Sequence, residues 1–283
     1  MMLRTLLTVS VFLQVTSGIA NDDALSLLTR DGGEIVFGEL APGLIELTAE
    51  SAFPILKDAK GGPLAAAGEA LDGKGSRVVA FSHDGFLKSP AMVAQPANLD
   101  LIANIVRWCG RSSTPVVALH PSLSELAAAL KEEGIDTKIV EPGELNGARP
   151  PAVYCVVAQR GFPDADITTL LSLAEKGMGL VVSATPWAFA NDYPNFAEFP
   201  ANRLAAPAGI VLRPEGIADR SKAITVSFSN SQVVLAALHE LARDTGNLDQ
   251  PKRDALILSL REGVSLRGEA MTTFLTGLKA LSE

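Results

Sequence analysis

The chain has little cysteine and no long hydrophobic run after its first twenty residues. Cys109 and Cys155 are the only thiols in 283 residues. That is too few to staple a chain of this length, so the fold must rest on a hydrophobic core. No segment beyond residue 20 is apolar for the ~20 residues that a bilayer-spanning helix needs. A basic excess is also missing: 24 Lys and Arg stand against 32 Asp and Glu, a formal charge of −8. That balance argues against binding to a phosphate backbone, which draws on clustered cations, and pairs such as Lys252 and Arg253 read as solvated helix faces. Neither GxGxxG after a strand nor the P-loop GxxxxGK pattern occurs, so the usual phosphate-cradling loops are absent. HELAR at 239–243 begins like the zinc-peptidase HExxH, but Arg243 stands where the second histidine ligand belongs. No metal or cofactor is expected, and no nucleic acid.

What is there suits a folded chain: 47% of residues are hydrophobic and 20% charged. The first twenty, MMLRTLLTVSVFLQVTSGIA, combine Arg4, an apolar stretch from Leu6 to Val15 and the small residues Gly18 and Ala20 ahead of Asp22 and Asp23. This is the pattern of a secretory signal peptide cleaved after about Ala20. The expectation is an exported protein, secreted or periplasmic, with no membrane span once the signal is removed. Export would permit a Cys109–Cys155 disulfide, yet both lie in apolar patterns, LIANIVRWCG and VYCVVA, that read as buried structural positions.

Residues 33–92 break into short β segments, GEIVFG, GLIEL and FPILKD, punctuated by glycines and leading into the strand RVVAFS. A regular alternation follows: helix 97–109, strand PVVAL, helix 123–133, strands TKIV and VYCVVA, helix 165–176, strand GLVVSA. Apolar strands alternating with amphipathic helices predict βαβ units and a mainly parallel sheet covered on both faces. Ser122 to Glu125 fits a capping box, Asp164 or Asp166 can cap the next helix, and Gly134 and Gly177 stand where helices end. A short helix near Asn202–Ala205, strands GIVL and ITVSF, and helices at about 230–244, 251–263 and 267–281 complete the chain. The expected organisation is a signal peptide (1–20), a β-rich lead-in (21–76), an α/β domain (77–248) and a helical extension (249–283).

Ligands of open parallel sheets bind outside the carboxyl ends of the strands. RVVAFS ends at His83 and Asp84, PVVAL at His120, VYCVVA at Gln159 and Arg160, and GLVVSA at Thr185, Pro186 and Trp187. The candidate ligand-binding residues are therefore His83, Asp84, His120, Arg160, Thr185 and Trp187. The plainer alternative for each is a turn residue that satisfies backbone groups. His239, in VVLAALHELA, reads as structural on its helix.

The segments GKGSRVVAFSHDGFL, NIVRWCGR, VYCVVAQRGFPDADITTLLSLAEKGMGLVVSATPWAFAND and FPANRLAAPAGI resemble a known family. They are similar to the class I glutamine-amidotransferase-like domain found at the N-terminal side of enhancin-like (mucinase-type) metallopeptidases and of vertebrate TRP-channel-associated factors. The similarity covers roughly residues 50–245 and implies a flavodoxin-like three-layer domain. Two departures limit what it carries over. The peptidase's downstream HExxH domain is not in this chain, and Ala184-Thr185-Pro186 occupies the turn where an amidotransferase holds its nucleophilic cysteine. Thr185 needs an activating base such as His83 or His120, and Pro186 removes the backbone N–H that usually serves an oxyanion hole.

The resulting expectation is an exported non-catalytic module that binds a glycan or an envelope protein at the strand-end cleft. The alternative is a hydrolase, an amidase or glycan-processing enzyme, using Thr185 or a metal-bound water at His83, Asp84 and His120. A third reading is a structural interaction module of an envelope assembly.

Overall fold

The computed structural model describes residues 24–225 apart from 25–26, 29–33, 50, 71–74, 146–149, 217 and 219–222. All of these belong to the first of the two units into which the chain divides, Met1–Val226. The signal-like residues 1–20, the helices expected at 230–281 and His239 lie outside the described residues.

Eleven described strands run in chain order as β1 (Glu34–Ile35), β2 (Leu44–Leu47), β3 (Phe53–Asp58), β4 (Pro63–Glu69), β5 (Arg77–Phe81), β6 (Val116–Leu119), β7 (Asp136–Ile139), β8 (Val153–Val157), β9 (Gly179–Ser183), β10 (Ile210–Arg213) and β11 (Ala223–Thr225). The helices are α1 (Gly85–Lys88), α2 (Pro90–Val93), α3 (Pro96–Cys109), α4 (Ser124–Glu132), α5 (Asp164–Ala174) and α6 (Pro200–Ala205). Nine strands form one sheet in the order β1-β11-β3-β4-β5-β9-β8-β6-β7. The five from β5 to β7 are parallel, and the four before them extend the sheet antiparallel. β2 and β10 pair separately as an antiparallel ribbon.

The inner parallel strands β9, β8 and β6 are almost wholly apolar because both faces are covered, whereas β7, at the sheet edge, reads DTKI and is largely exposed. Successive side chains alternate between two cores. Val79, Phe81, Val117, Leu119, Val153, Cys155 and Val181 face one, with Leu101, Ile105 and Trp108 of α3 and Leu126 and Leu130 of α4. Val78, Ala80, Tyr154, Val156, Leu180 and Val182 face the other, with Ile167 and Leu170 of α5 and Leu204 of α6. The result is the expected three-layer α/β sandwich with a mostly parallel central sheet and N-terminal strands.

Local chemistry sets several details. Gly179 opens β9 because an added Cβ would sit 2.7 Å from the Cys109 carbonyl oxygen, so only glycine lets α3 end against the sheet. The Ser122–Glu125 capping box does not form. Pro121 begins a 3₁₀ turn ahead of α4, the Ser122 hydroxyl lies 2.9 Å from His120 Nδ1, and α4 starts without a side-chain cap. Asp164 and Asp166 lie in the first turn of α5, where their charge favours the helix dipole, but neither caps it. Cys109 and Cys155 are free thiols buried in one core.

Candidate functional site

The strand order fixes what can meet at the carboxyl edge. β5 and β9 are neighbours, then β8, then β6. The helices after β6 and β8, α4 and α5, cover opposite faces, so the topological switch point falls between His120 and Gln159-Arg160.

At the β5/β9 end, His83, Asp84 and Thr185 do come together. The Thr185 hydroxyl donates to Asp84 Oδ1 at 2.8 Å and accepts the Asp84 backbone N–H at 3.3 Å. His83 Nδ1 lies 3.2 Å from the same carboxylate oxygen and 2.9 Å from the Gly85 amide. That nitrogen accepts from the amide when unprotonated and donates to the carboxylate when it carries a proton. The hydrogen bond with His83 is the largest influence on the Asp84 carboxyl. Burial opposes it and the Thr185 hydroxyl reinforces it, and together they hold Asp84 down to about 2.

The sequence along this cluster is Thr–Asp–His, with the carboxylate in the middle. A nucleophilic hydroxyl needs a base of useful strength beside it, and Thr185 instead spends its proton on a carboxylate held ionised. Thr185 is 7% exposed. The loop at 40–43 lies against this turn: Trp187 Nε1 donates to the Ala41 carbonyl at 2.7 Å, and the Gly43 amide donates to the Ser82 carbonyl at 3.0 Å. Ser82 Oγ is 2.9 Å from the carbonyls of both Gly43 and Leu64. Ser82 and the 40–43 loop escaped the sequence reading, because nothing in their composition announces that the lead-in folds back over this edge.

His120 and Arg160 stand apart from that cluster. His120 Nε2 is 3.4 Å from Glu141 Oε2, its Nδ1 faces Ser122, and its ring centroid is 6.2 Å from that of Phe162. Arg160 Nη1 reaches Asp192 Oδ2 at 3.3 Å. Three interstrand steps separate the ends of β5 and β6, roughly 14 Å at the usual spacing, so His83 and His120 cannot ligate one ion. Among the described residues no group of three or more His, Cys, Asp or Glu side chains is placed to hold a metal.

The segment after Thr185 forms an aromatic rim. Phe196 stacks on the buried Phe199 at 4.7 Å between centroids, and Tyr193 meets Phe199 edge-on at 5.4 Å. Phe162, Tyr193 and Phe196 remain partly exposed beside Arg160 and Asp192. The motif FPANR anchors this rim. Phe199 fills its core and Pro200 opens α6. The Asn202 side chain accepts from the Leu212 amide at 2.7 Å and donates to the Leu212 carbonyl at 3.1 Å, and Arg203 pairs with Asp164.

The fold is a three-layer α/β domain of the kind present in a bacterial metallopeptidase. IMPa from Pseudomonas aeruginosa, solved in complex with an O-glycopeptide, matches 78% of this chain with a TM-score of 0.56 at 12% identity, using 25% of its own length. A second IMPa structure, in complex with T-antigen, gives a TM-score of 0.53 over 79% of this chain and 27% of that one, at 13% identity. The chain itself belongs to the family described as "TRPM8, N-terminal domain", which matches residues 22–226. TRPM8 channel-associated factor 2 of Bos taurus is 32% identical over 173 residues, 60% of this chain and 17% of the relative. The Homo sapiens counterpart is 31% identical over 173 residues, with the same shares. This chain therefore spans less than a fifth of the length of these curated relatives.

These relatives are channel-associated factors of animals, and they overturn the expectation of a secreted or periplasmic protein with a glycan or envelope-protein partner. The export reading rested on the composition of residues 1–20, and a ten-residue apolar stretch has that composition whether or not it is an export signal. The glycan reading rested on an aromatic ring beside polar groups. Trp187 is instead tied by its indole N–H to the 40–43 loop. Among the described residues no helix is long and apolar enough to cross a membrane.

Proposed function

We propose that this domain is a non-catalytic recognition module on an amidotransferase-like scaffold, and that it binds a membrane-channel protein through the carboxyl edge of its sheet. The observation that carries this reading is the Asp84–Thr185 pair. The position of a nucleophile is occupied by a hydroxyl that donates to a carboxylate held near pKa 2 and is covered by the 40–43 loop.

The relatives' names supply the class of partner, and the aromatic rim supplies a surface. Aromatic side chains are enriched where proteins meet, because they bury large area at low entropic cost. Phe162, Tyr193 and Phe196 offer such area, and the same segments carry the ion pairs Arg160–Asp192 and Arg203–Asp164.

The test is co-purification of the full chain with TRPM8 from detergent-solubilised animal-cell membranes. The wild type and Thr185→Ser are expected to capture the channel, and the double variant Tyr193→Ser, Phe196→Ser to lose it. No capture by the wild type, or equal capture by the rim variant, ends this reading.

A further inference from the structure

We infer that the domain carries a second docking surface, a groove between α4 and residues 90–100 that accepts a basic amphipathic helix of a partner protein. The groove lies on the α3/α4 side of the sheet, away from the carboxyl-edge rim, and does not depend on the function proposed above. Its volume is about 500 Å³, and Val93, Leu99, Ala128 and Ala129 form its apolar floor.

The spacing on α4 explains the shape. Glu125, Ala128, Ala129 and Glu132 follow one another at i, i+3, i+4 and i+7, so they share one face of the helix. The two alanines keep that face low, and a second helix can approach closely where side chains are small. Helix-in-groove binding uses such a floor to take the apolar stripe of the incoming helix.

Charge selects the occupant. Asp100, Glu125, Glu132 and Glu133 line the groove, and no Lys, Arg or His does. None of the four carboxylates takes part in an ion pair among the described residues. An incoming helix with Leu on one side and Lys or Arg at its margins would bury apolar surface on the floor and neutralise the rim. An acidic helix would meet like charge from all four carboxylates.

The test uses the full chain and fluorescence anisotropy with two synthetic helical peptides of about four turns, one built of Leu and Lys, the other of Leu and Glu in the same pattern. The Leu/Lys peptide is expected to bind at least tenfold tighter. Its affinity should fall at least tenfold in Asp100→Asn, Glu125→Gln, Glu132→Gln and again in Ala128→Arg, which places a long cation on an exposed position of the floor. A control set of equal charge change elsewhere, Asp136→Asn, Glu144→Gln, Glu175→Gln, should leave it within twofold. Equal binding of the Leu/Glu peptide, unchanged affinity in both groove variants, or an equal loss in the control set overturns the proposal. Sedimentation velocity on the free chain adds a further outcome: a dimer that Ala128→Arg dissociates gives the groove to a second copy and also overturns it.

Discussion

Thr185 and Asp84 hold each other twice, hydroxyl to carboxylate at 2.8 Å and backbone amide to hydroxyl at 3.3 Å, and so tie the ends of two adjacent parallel strands. Removing the hydroxyl takes the side-chain acceptor from the Asp84 amide and leaves the Asp84 carboxylate with His83 alone. Thr185→Val is expected to lower the unfolding free energy by about 1–3 kcal/mol, the cost of leaving such groups unpaired. Thr185→Ser should lose much less. Urea unfolding of both variants beside the wild type checks the difference.

The same pair gives the domain an acid-sensitive element. The Asp84 carboxyl is depressed in the folded state relative to its ordinary value of 3.8. Its contribution is therefore fully present above about pH 4 and is lost as the pH falls toward about 2. With the carboxyl partly open to solvent, which screens the interaction, the depression corresponds to about 1–2 kcal/mol. Stability measured against pH should drop more steeply between pH 4 and 2 for the wild type than for Asp84→Asn, which has nothing to titrate at that position.

Asn202 imitates a strand neighbour for β10, pairing with both backbone groups of Leu212. Asn202→Leu keeps the volume and removes both partners, leaving a buried N–H and C=O unpaired. A loss of about 2–4 kcal/mol is expected from two such groups, read as a lower urea midpoint with an unchanged slope.

Gly68 in β4 faces the Ala208 carbonyl, and an added Cβ would sit 2.4 Å from that oxygen. Gly68→Ala forces the backbone apart where β4 meets the turn before β10. The expected cost is about 1–3 kcal/mol, the range for overpacking a tight contact, and the melting temperature should fall accordingly.

Burial pushes both thiols up, Cys109 and Cys155 alike. Thiolate is the reactive form, so neither should react with a maleimide at neutral pH while the domain is folded. Two equivalents of label should appear in step with urea unfolding. Labelling of the native protein would show that the end of α3, at Cys109, or β8, at Cys155, opens independently.

Most of the parallel half was legible in the sequence because its strands are continuous apolar runs set between amphipathic helices. β5, β6, β8 and β9 stand where RVVAFS, PVVAL, VYCVVA and GLVVSA placed them. β4 was not legible. PLAAAGE is built of alanines that lie flat between neighbouring strands, and alanine carries no strand preference to read. Strand order was also out of reach, since it depends on pairings between distant segments. Hence the sequence could put His83, Asp84, Thr185, Arg160 and His120 on one edge but could not say that the first three touch and the other two stand apart. Trp187 and FPANR were visible as a signature, yet their roles, a strut to residue 41 and a clamp on β10, depend on partners 146 and 10 residues away.

The placement of β11 sets the order in which the sheet can be finished. Residues 223–225 lie between β1 and β3, and in the β-ladder Glu34 stands opposite Ile224. A nascent chain that stops short of residue 223 has already made the parallel strands but presents the outer rim of β3 with its hydrogen-bonding groups open. Such an edge is a template for pairing with another chain. During synthesis the domain is thus exposed to self-association along the flank of β3 until β11 is threaded in.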